Sequence, residues 1–310
     1  MHDAPATLPA DSLRLLVDSL VDYAGLFPPS KLPMDVAVAN YARYRASGDS
    51  WMLGRFVVPV SRLGEFDKAS AGHLPRDRDD DPWPISALVG PDADADIEAI
   101  FAFNRAHAED PSNGLAVVDA IELKRDDPFE IDRLMKIVPE QLTPYFELPH
   151  EGENRPAITA LAGTGGRAKI RCGGVTPGLF PTAEEIARFI VRCSAADVPF
   201  KATAGLHHPV RAEHALTYED DAPRGVMHGF LNVFLCAAFV LKARLEEADA
   251  ARLLAETDAN AFRFGPDGVR WGDKSLDNAR IAGVRESFAI GYGSCSFTEP
   301  TQDLRTLGLL

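Results

Sequence analysis

Residues 168–205, AKIRCGGVTPGLFPTAEEIARFIVRCSAADVPFKATAG, read as a strand, a helix and a second strand in succession. At the start, Ala168, Ile170 and Cys172 alternate with Lys169 and Arg171, which is the period of a β-strand. At the end, Phe200, Ala202 and Ala204 alternate with Lys201 and Thr203 in the same way. Between them Pro181 precedes a helix that Thr182 can cap, with Glu184 and Glu185 in its first turn. Ile186, Phe189, Ile190 and Cys193 then recur at helical spacing and make one apolar stripe.

The same alternation runs along the rest of the chain. Strands are expected at Leu20–Ala24, Arg55–Val60, Ile85–Val89, Leu115–Leu123, Tyr145–Leu148, Ala168–Cys172, Pro199–Ala204 and Phe288–Gly291. Helices are expected near 34–46, 62–71, 94–108, 128–138, 156–162 and 182–196. Strands alternating with helices point to a parallel sheet, either an open doubly wound one or a (β/α)8 barrel. No G-x-G-x-x-G follows the first strand and no P-loop motif occurs, which turns the reading away from nucleotide folds. The expectation is an α/β chain forming a single (β/α)8 TIM barrel over residues 1–310. Residues 206–286 exceed what one βα unit needs. They are read as an insertion between strands 7 and 8, a helical element or lid, with helices near 225–243 and 246–256 and a turn at FGPDGVRW, 264–271.

Composition bounds the function. The 310 residues are 46% hydrophobic and 25% charged, as suits a soluble globular protein with a sizeable core. A net charge of −14 argues against nucleic acid or an anionic membrane surface as partner. It leaves a local cluster of cations free to hold a small anionic metabolite. Cys172, Cys193, Cys236 and Cys295 form no C-x-x-C pair and read as reduced thiols of a cytoplasmic protein. The opening MHDAPATLPADS has neither a basic nor an apolar leader region, so no signal peptide is expected. The apolar segment 225–245 is interrupted by His228 and Asn232, which favours a buried helix over a membrane span of about 20 apolar residues.

In a barrel, outward side chains pack on helices, and inward ones near the C-terminal strand ends build the active site. By that parity Lys169, Arg171, Lys201, Thr203, Glu122, Lys124 and Glu147 all point inward. Unpaired buried charge is costly, so these groups must pair or function. A buried ion-pair network is the plain reading; a polar active site on neighbouring strands is the one favoured. Two adjacent lysines carry a further meaning, because each ammonium makes the other costlier to charge. A lysine left neutral can attack a carbonyl and form a Schiff base, with nearby acids moving protons on the enamine.

An ordered series of segments resembles deoxyribose-phosphate aldolase, a class I aldolase family. LVDYAGLFPP (20–29), GRFVVPVSRL (54–63), ISALVGP (85–91), YFELP (145–149), AKIRCGG, VPFKATAGLHHPVRAEHA (198–215) and AIGYGSCS (289–296) follow the family's strand order over nearly the whole chain. The resemblance implies a (β/α)8 barrel with Lys169 as the Schiff-base lysine and Lys201 as the second lysine that keeps it neutral. It implies Asp22 in the proton relay. For the fourth-strand aspartate, Glu122 fits by parity and Asp119 by residue type, and Glu122 is preferred. Glu147 joins them on the fifth strand. Gly293, Ser294 and Ser296 stand where the family holds phosphate, and Gly173, Gly174, Gly205, His207, His208 and Arg211 are read as further substrate-binding positions. The chain departs from the family in Arg171, in the reduced Ala204-Gly205 pair, and in the 206–286 segment. Arg171 suggests a carboxylate or phosphate on the substrate.

Other residues have plainer readings. His207 and His208 are adjacent on an extended segment and diverge, which speaks against both ligating one metal. Cys295 is a thiol with no positioned base visible, and reads as a small residue at a phosphate loop. FPPS at 27–30 reads as a rigid turn. The lead reading, a Schiff-base lyase, calls for no cofactor and no metal, and leaves room for a homo-oligomer. Its rivals are a metal-dependent lyase or hydrolase using Glu122, Glu147, His207 and His208, and a non-catalytic barrel that binds an anionic ligand through Arg171.

Overall fold

A computed structural model describes residues 9–310; residues 1–8, on which most of the leader-peptide expectation rests, lie outside the described residues. The first seven strands are β1 (Val21–Tyr23), β2 (Leu53–Pro59), β3 (Trp83–Leu88), β4 (Ala116–Leu123), β5 (Thr143–Leu148), β6 (Arg167–Arg171) and β7 (Phe200–Thr203). Residues between β7 and the last barrel strand form a hairpin, β8 (Ala212–Ala215) with β9 (Arg224–Met227), and helices Phe230–Ala243 and Glu247–Leu254. An antiparallel sheet of β10 (Phe262–Phe264), β11 (Gly268–Trp271) and β12 (Lys274–Asp277) follows, then helix Asn278–Ser287 and β13 (Ala289–Ser294). The strand order β1-β13-β7-β6-β5-β4-β3-β2 closes into an eight-stranded barrel in which every neighbour pair is parallel.

The local chemistry explains the elements. Helix Ala183–Ala195 opens with a full capping box: the Glu185 amide donates to Thr182 Oγ1 and the Thr182 amide donates to Glu185 Oε2. Its stripe of Ile186, Phe189, Ile190 and Cys193 is completely buried, and the Phe189 ring meets Phe200 of β7 edge-on at 5.7 Å. Each such side chain contributes about 1.5–3 kcal/mol of burial. Helix Phe230–Ala243 is apolar all round because nearly its whole surface is buried. Asn232 inside it is satisfied, donating to the carbonyls of Leu253 and Glu256 at 3.0 and 2.8 Å and accepting from the Arg211 amide at 3.1 Å. Among the described residues no helix is long and apolar enough to cross a membrane.

Two differences from the sequence reading matter for the site. The 206–286 segment carries two small sheets besides its helices, because β8 and β9 are mostly solvent-exposed and show no buried alternation. A polar helix, Thr298–Thr306, follows β13 at the barrel mouth and buries only Pro300, Thr301 and Leu304.

Candidate active site

The Cα register sets Glu147 beside Lys169, and Lys169 beside Lys201. Three consecutive strands therefore send ionisable side chains inward at one level. On β4 the register slips: Val118 faces Ile85 and Ala120 faces Ser86, so Asp119 is the extra residue of a bulge. Asp119 takes a bidentate pair from Arg55 at 2.7 Å for both contacts, and Glu122 is the acid that enters the barrel. Lys124 lies past the end of β4 and is exposed, so the inward placement expected for it does not hold.

These side chains form an alternating chain of charge. Asp22 Oδ2 lies 2.6 Å from Lys201 Nζ, which lies 2.7 Å from Glu122 Oε1. Glu122 Oε2 lies 2.6 Å from Lys169 Nζ, which lies 2.8 Å from Glu147 Oε2. Glu147 Oε1 lies 3.5 Å from Arg171 Nε. Three carboxylates and three cations balance formally, so the cluster meets the pairing that burial demands. Ser86 Oγ donates to Glu122 at 2.9 Å, and the Arg55 amide donates to Asp22 Oδ1 at 2.7 Å. Lys201 Nζ also stands 5.2 Å from the centre of the Tyr145 ring.

The electrostatics follow from these contacts. Burial opposes charge on Glu122, but the two lysines overcome it and hold the carboxyl well below the usual range. Burial likewise works against the Lys201 ammonium, and Asp22 and Glu122 raise it above the ordinary lysine value. Glu147 is lowered against its own burial, chiefly by Lys169. Lys201 is therefore a fixed cation.

A cavity of about 300 Å³ opens at the C-terminal ends of the strands. Lys169, Arg171, Glu122 and Glu147 line it, whereas Lys201 and Asp22 do not reach its wall. Thr203, Gly174, Gly205 and Gly293 complete that wall, with Phe27, Pro28 and Pro29 of the turn after β1. Ala204 and Gly205 both take left-handed backbone, φ +59° and +69°, as β7 gives way to its loop. A Cβ at Gly205 would stand 2.7 Å from the Gly173 Cα, so that position also needs glycine for space. A larger cavity, about 800 Å³, sits at the opposite end beside Arg55, Ser19 and Arg285, the face of a barrel that serves stability.

Several expected binding positions lie off the active cavity. Gly173 packs under Phe180, where a Cβ would come within 2.4 Å of the ring. The Ser294 hydroxyl accepts the Ser296 amide, and the Ser296 hydroxyl accepts the Glu299 amide at the start of the last helix. His208 pairs with Asp303 at 2.6 Å and stacks on His214 at 3.4 Å between ring centres. Arg211 is half-buried beside His208, in a separate pocket. His207 does line the active cavity, as does Cys295. Sequence reasoning did not find the Phe27–Pro29 wall, Ser86, Tyr145 or Glu299; of these only Tyr145 had a signal, the parity it shares with Glu147, and it stands opposite Glu122 in the register.

Among the described residues no three His, Cys, Asp or Glu side chains are grouped so as to hold a metal ion. Glu122 and Glu147, which a metal-dependent reading needs, are both engaged by Lys169. No protein-family model, curated protein or solved structure matches this chain.

Proposed function

We propose that the barrel mouth is the active site of a Schiff-base lyase of the aldolase type, acting on a small aldehyde or keto compound that carries a carboxylate or phosphate. The observation that carries this reading is the different fate of two lysines at one level of the barrel. Both are buried and each is ion-paired to two acids, but Lys169 lines the cavity, whereas Lys201 lies behind it and does not reach the wall. A nucleophile needs access and a fixed electrostatic partner does not.

In this reading Arg171 holds the anionic group of the substrate, since its guanidinium is half open to the cavity. Lys169 passes a proton to Glu147 and its free amine adds to the carbonyl carbon. The carbinolamine loses its oxygen as water, with Glu147 returning the proton. As the carbon–carbon bond breaks, the iminium takes the electron pair to become an enamine, and Glu147, again a carboxylate, takes the proton of the β-hydroxyl, whose carbon leaves as an aldehyde. Glu147 then gives that proton to the enamine carbon while Glu122 stays a carboxylate between the two lysines, and water hydrolyses the imine to release the product and the Lys169 amine. Lys201 and Asp22 keep a constant field beneath these steps. The resemblance to deoxyribose-phosphate aldolase supports the same assignment of Lys169, Lys201 and Asp22.

Borohydride reduction in the presence of small aldehydes and keto acids, followed by peptide mass mapping, tests the proposal. A reduced adduct on Lys169 and none on Lys201 is expected. Absence of any adduct on either lysine, across aldehydes and keto acids alike, would sink it. Recovery of a tightly bound metabolite without turnover would instead favour a binding barrel.

A further inference from the structure

Two side chains outside the lysine network, Cys295 and His207, line the same cavity, and Glu299 stands behind His207. Cys295 immediately follows β13, His207 lies in the loop after β7, and Glu299 is in the first turn of helix Thr298–Thr306. Cys295 Sγ is 4.0 Å from His207 Nε2, and His207 Nδ1 is 2.8 Å from Glu299 Oε2. Tyr218, between β8 and β9, donates its hydroxyl to the same Glu299 oxygen at 3.0 Å and lies 3.7 Å from the sulfur. Thiol, imidazole and orienting acid stand in the order that covalent catalysis by cysteine requires. The sulfur–nitrogen contact is long, as is common in a resting site that tightens on substrate. Both Cys295 and His207 line the cavity wall.

The charges around the sulfur agree with the geometry. Burial pushes the Cys295 thiol up, but the hydrogen bond and charge of His207 outweigh it and bring it below its ordinary value. Burial also works against the imidazolium; Cys295 and Glu299 prevail and push His207 up to about 10. The remaining ionisable groups facing this cluster are Tyr218, Tyr23 of β1, Tyr292 of β13, His214, and His208 with its partner Asp303. The other three thiols are different in kind: Cys172, Cys193 and Cys236 are fully buried, and burial pushes each of them up, Cys172 to about 12.

We propose that Cys295, His207 and Glu299 form a second covalent site in this cavity, a thiolate that accepts the acyl group of a small ester or thioester. The Cys295 sulfur attacks the carbonyl carbon and a carbon–sulfur bond forms. The bond to the leaving oxygen or sulfur breaks, and that atom takes the proton from His207 Nε2. Neutral His207 then removes a proton from water, whose oxygen attacks the acyl-cysteine. The carbon–sulfur bond breaks, the carboxylic acid departs, and thiolate and imidazolium are restored. Glu299 holds the imidazole in the required orientation throughout, and Arg171 on the same cavity is placed for a carboxylate on the acyl chain. The proposal does not depend on the chemistry assigned to Lys169.

The test uses p-nitrophenyl acetate with the intact chain, a rapid quench and peptide mapping. The expected result is an acetyl group on Cys295, absent from Cys295→Ala, and formed about 10²-fold more slowly in His207→Gln. An acetyl group on Lys169, or on no residue, overturns this inference and leaves the Schiff-base reading standing. Iodoacetamide labelling of the unmodified chain needs no variant. Cys295 should alkylate at pH 6.5 about tenfold or more faster than an unactivated thiol, with the other three cysteines unlabelled. Labelling of Cys295 no faster than that thiol equally overturns it.

Discussion

Glu122 accepts from both lysines and from Ser86, and its side chain is only 4% exposed. Removing its charge leaves two buried ammonium groups sharing an amide, with the desolvation cost of each still in place. Glu122→Gln is therefore expected to destabilise the fold by about 3–5 kcal/mol, read as a lowered midpoint in urea unfolding. Ser86→Ala takes away one neutral donor to the same oxygen and should cost only about 1 kcal/mol. Equal losses in the two variants would mean that the ion network is not what stabilises this site. At this scale parity made Lys169, Lys201, Glu122 and Glu147 legible, because strand alternation is strict and a charge on an inward position stands out. It misjudged Lys124, whose position depends on where β4 ends, and alternation says nothing of chain termination. It supplied no base for Cys295: the expected barrel sets strands 7 and 8 side by side, but alternation says nothing of where the loop after strand 7 turns His207, 88 positions away.

Whole elements show why some parts of the site were readable and others were not. The helix over Ala183–Ala195 carried a cap and an apolar stripe, so both its ends and its face followed from sequence. Helix Thr298–Thr306, which brings Glu299 to the cavity, is TEPTQDLRT, with no stripe to find. The β8–β9 hairpin, which brings Tyr218, is exposed along most of both strands and has no period. β2 offers a sharper test of how an element holds a residue in place. A Cβ at Gly54 would come within 2.4 Å of Asp22 Oδ1, the oxygen that accepts the Arg55 amide at 2.7 Å. Asp22 can tie β1 to β2 and still reach Lys201 only because that space is open. Gly54→Ala is expected to push the carboxylate aside and cost about 1–3 kcal/mol in thermal or urea unfolding. Gly64→Ala, where a Cβ meets nothing within 4 Å inside helix Leu63–Ser70, serves as control and should be neutral or slightly stabilising. Loss of stability at Gly64 comparable with that at Gly54 would refute the close-packing argument.

For the molecule as a whole, the barrel gathers its buried charges at one end, and this fixes how stability must change with pH. A carboxylate held below its ordinary value contributes stability that is fully present above its unfolded value, about 4.3 for glutamate, and is lost as pH falls through the folded value. Glu122, Glu147 and Glu299 belong to this class, so the steep part of the acid limb should begin near the ordinary carboxylate range and, for Glu122, extend well below it; a gentler onset at about 6.5 comes from His214, which burial and His208 push down to about 4. Lys201 acts in the opposite sense: its contribution is whole below about 10.4 and is lost only as pH climbs through its raised folded value. His207 is raised to about 10, so its contribution starts to fall above about 6.5, the unfolded value, and is gone beyond the folded one. The lowered Cys295 thiol gains stability over the range up to about 8.5, its unfolded value, which offsets the His207 slope until then. Above about 8.5 the slopes of Cys172, Cys193 and Cys236 join that of His207, because burial keeps these thiols protonated where the unfolded chain ionises them. Urea midpoints measured from acid to alkaline pH should therefore show a steep acid limb, a maximum near neutral pH, and a decline above about 8.5, well before lysine titrates. His207→Gln should take away the part of the acid limb that Glu299 supplies, since His207 is what chiefly holds that carboxyl low, and leave the larger part from Glu122 and Glu147, which do not touch His207. An acid limb that His207→Gln left wholly unchanged would mean that the imidazolium at the barrel mouth is not held by Glu299.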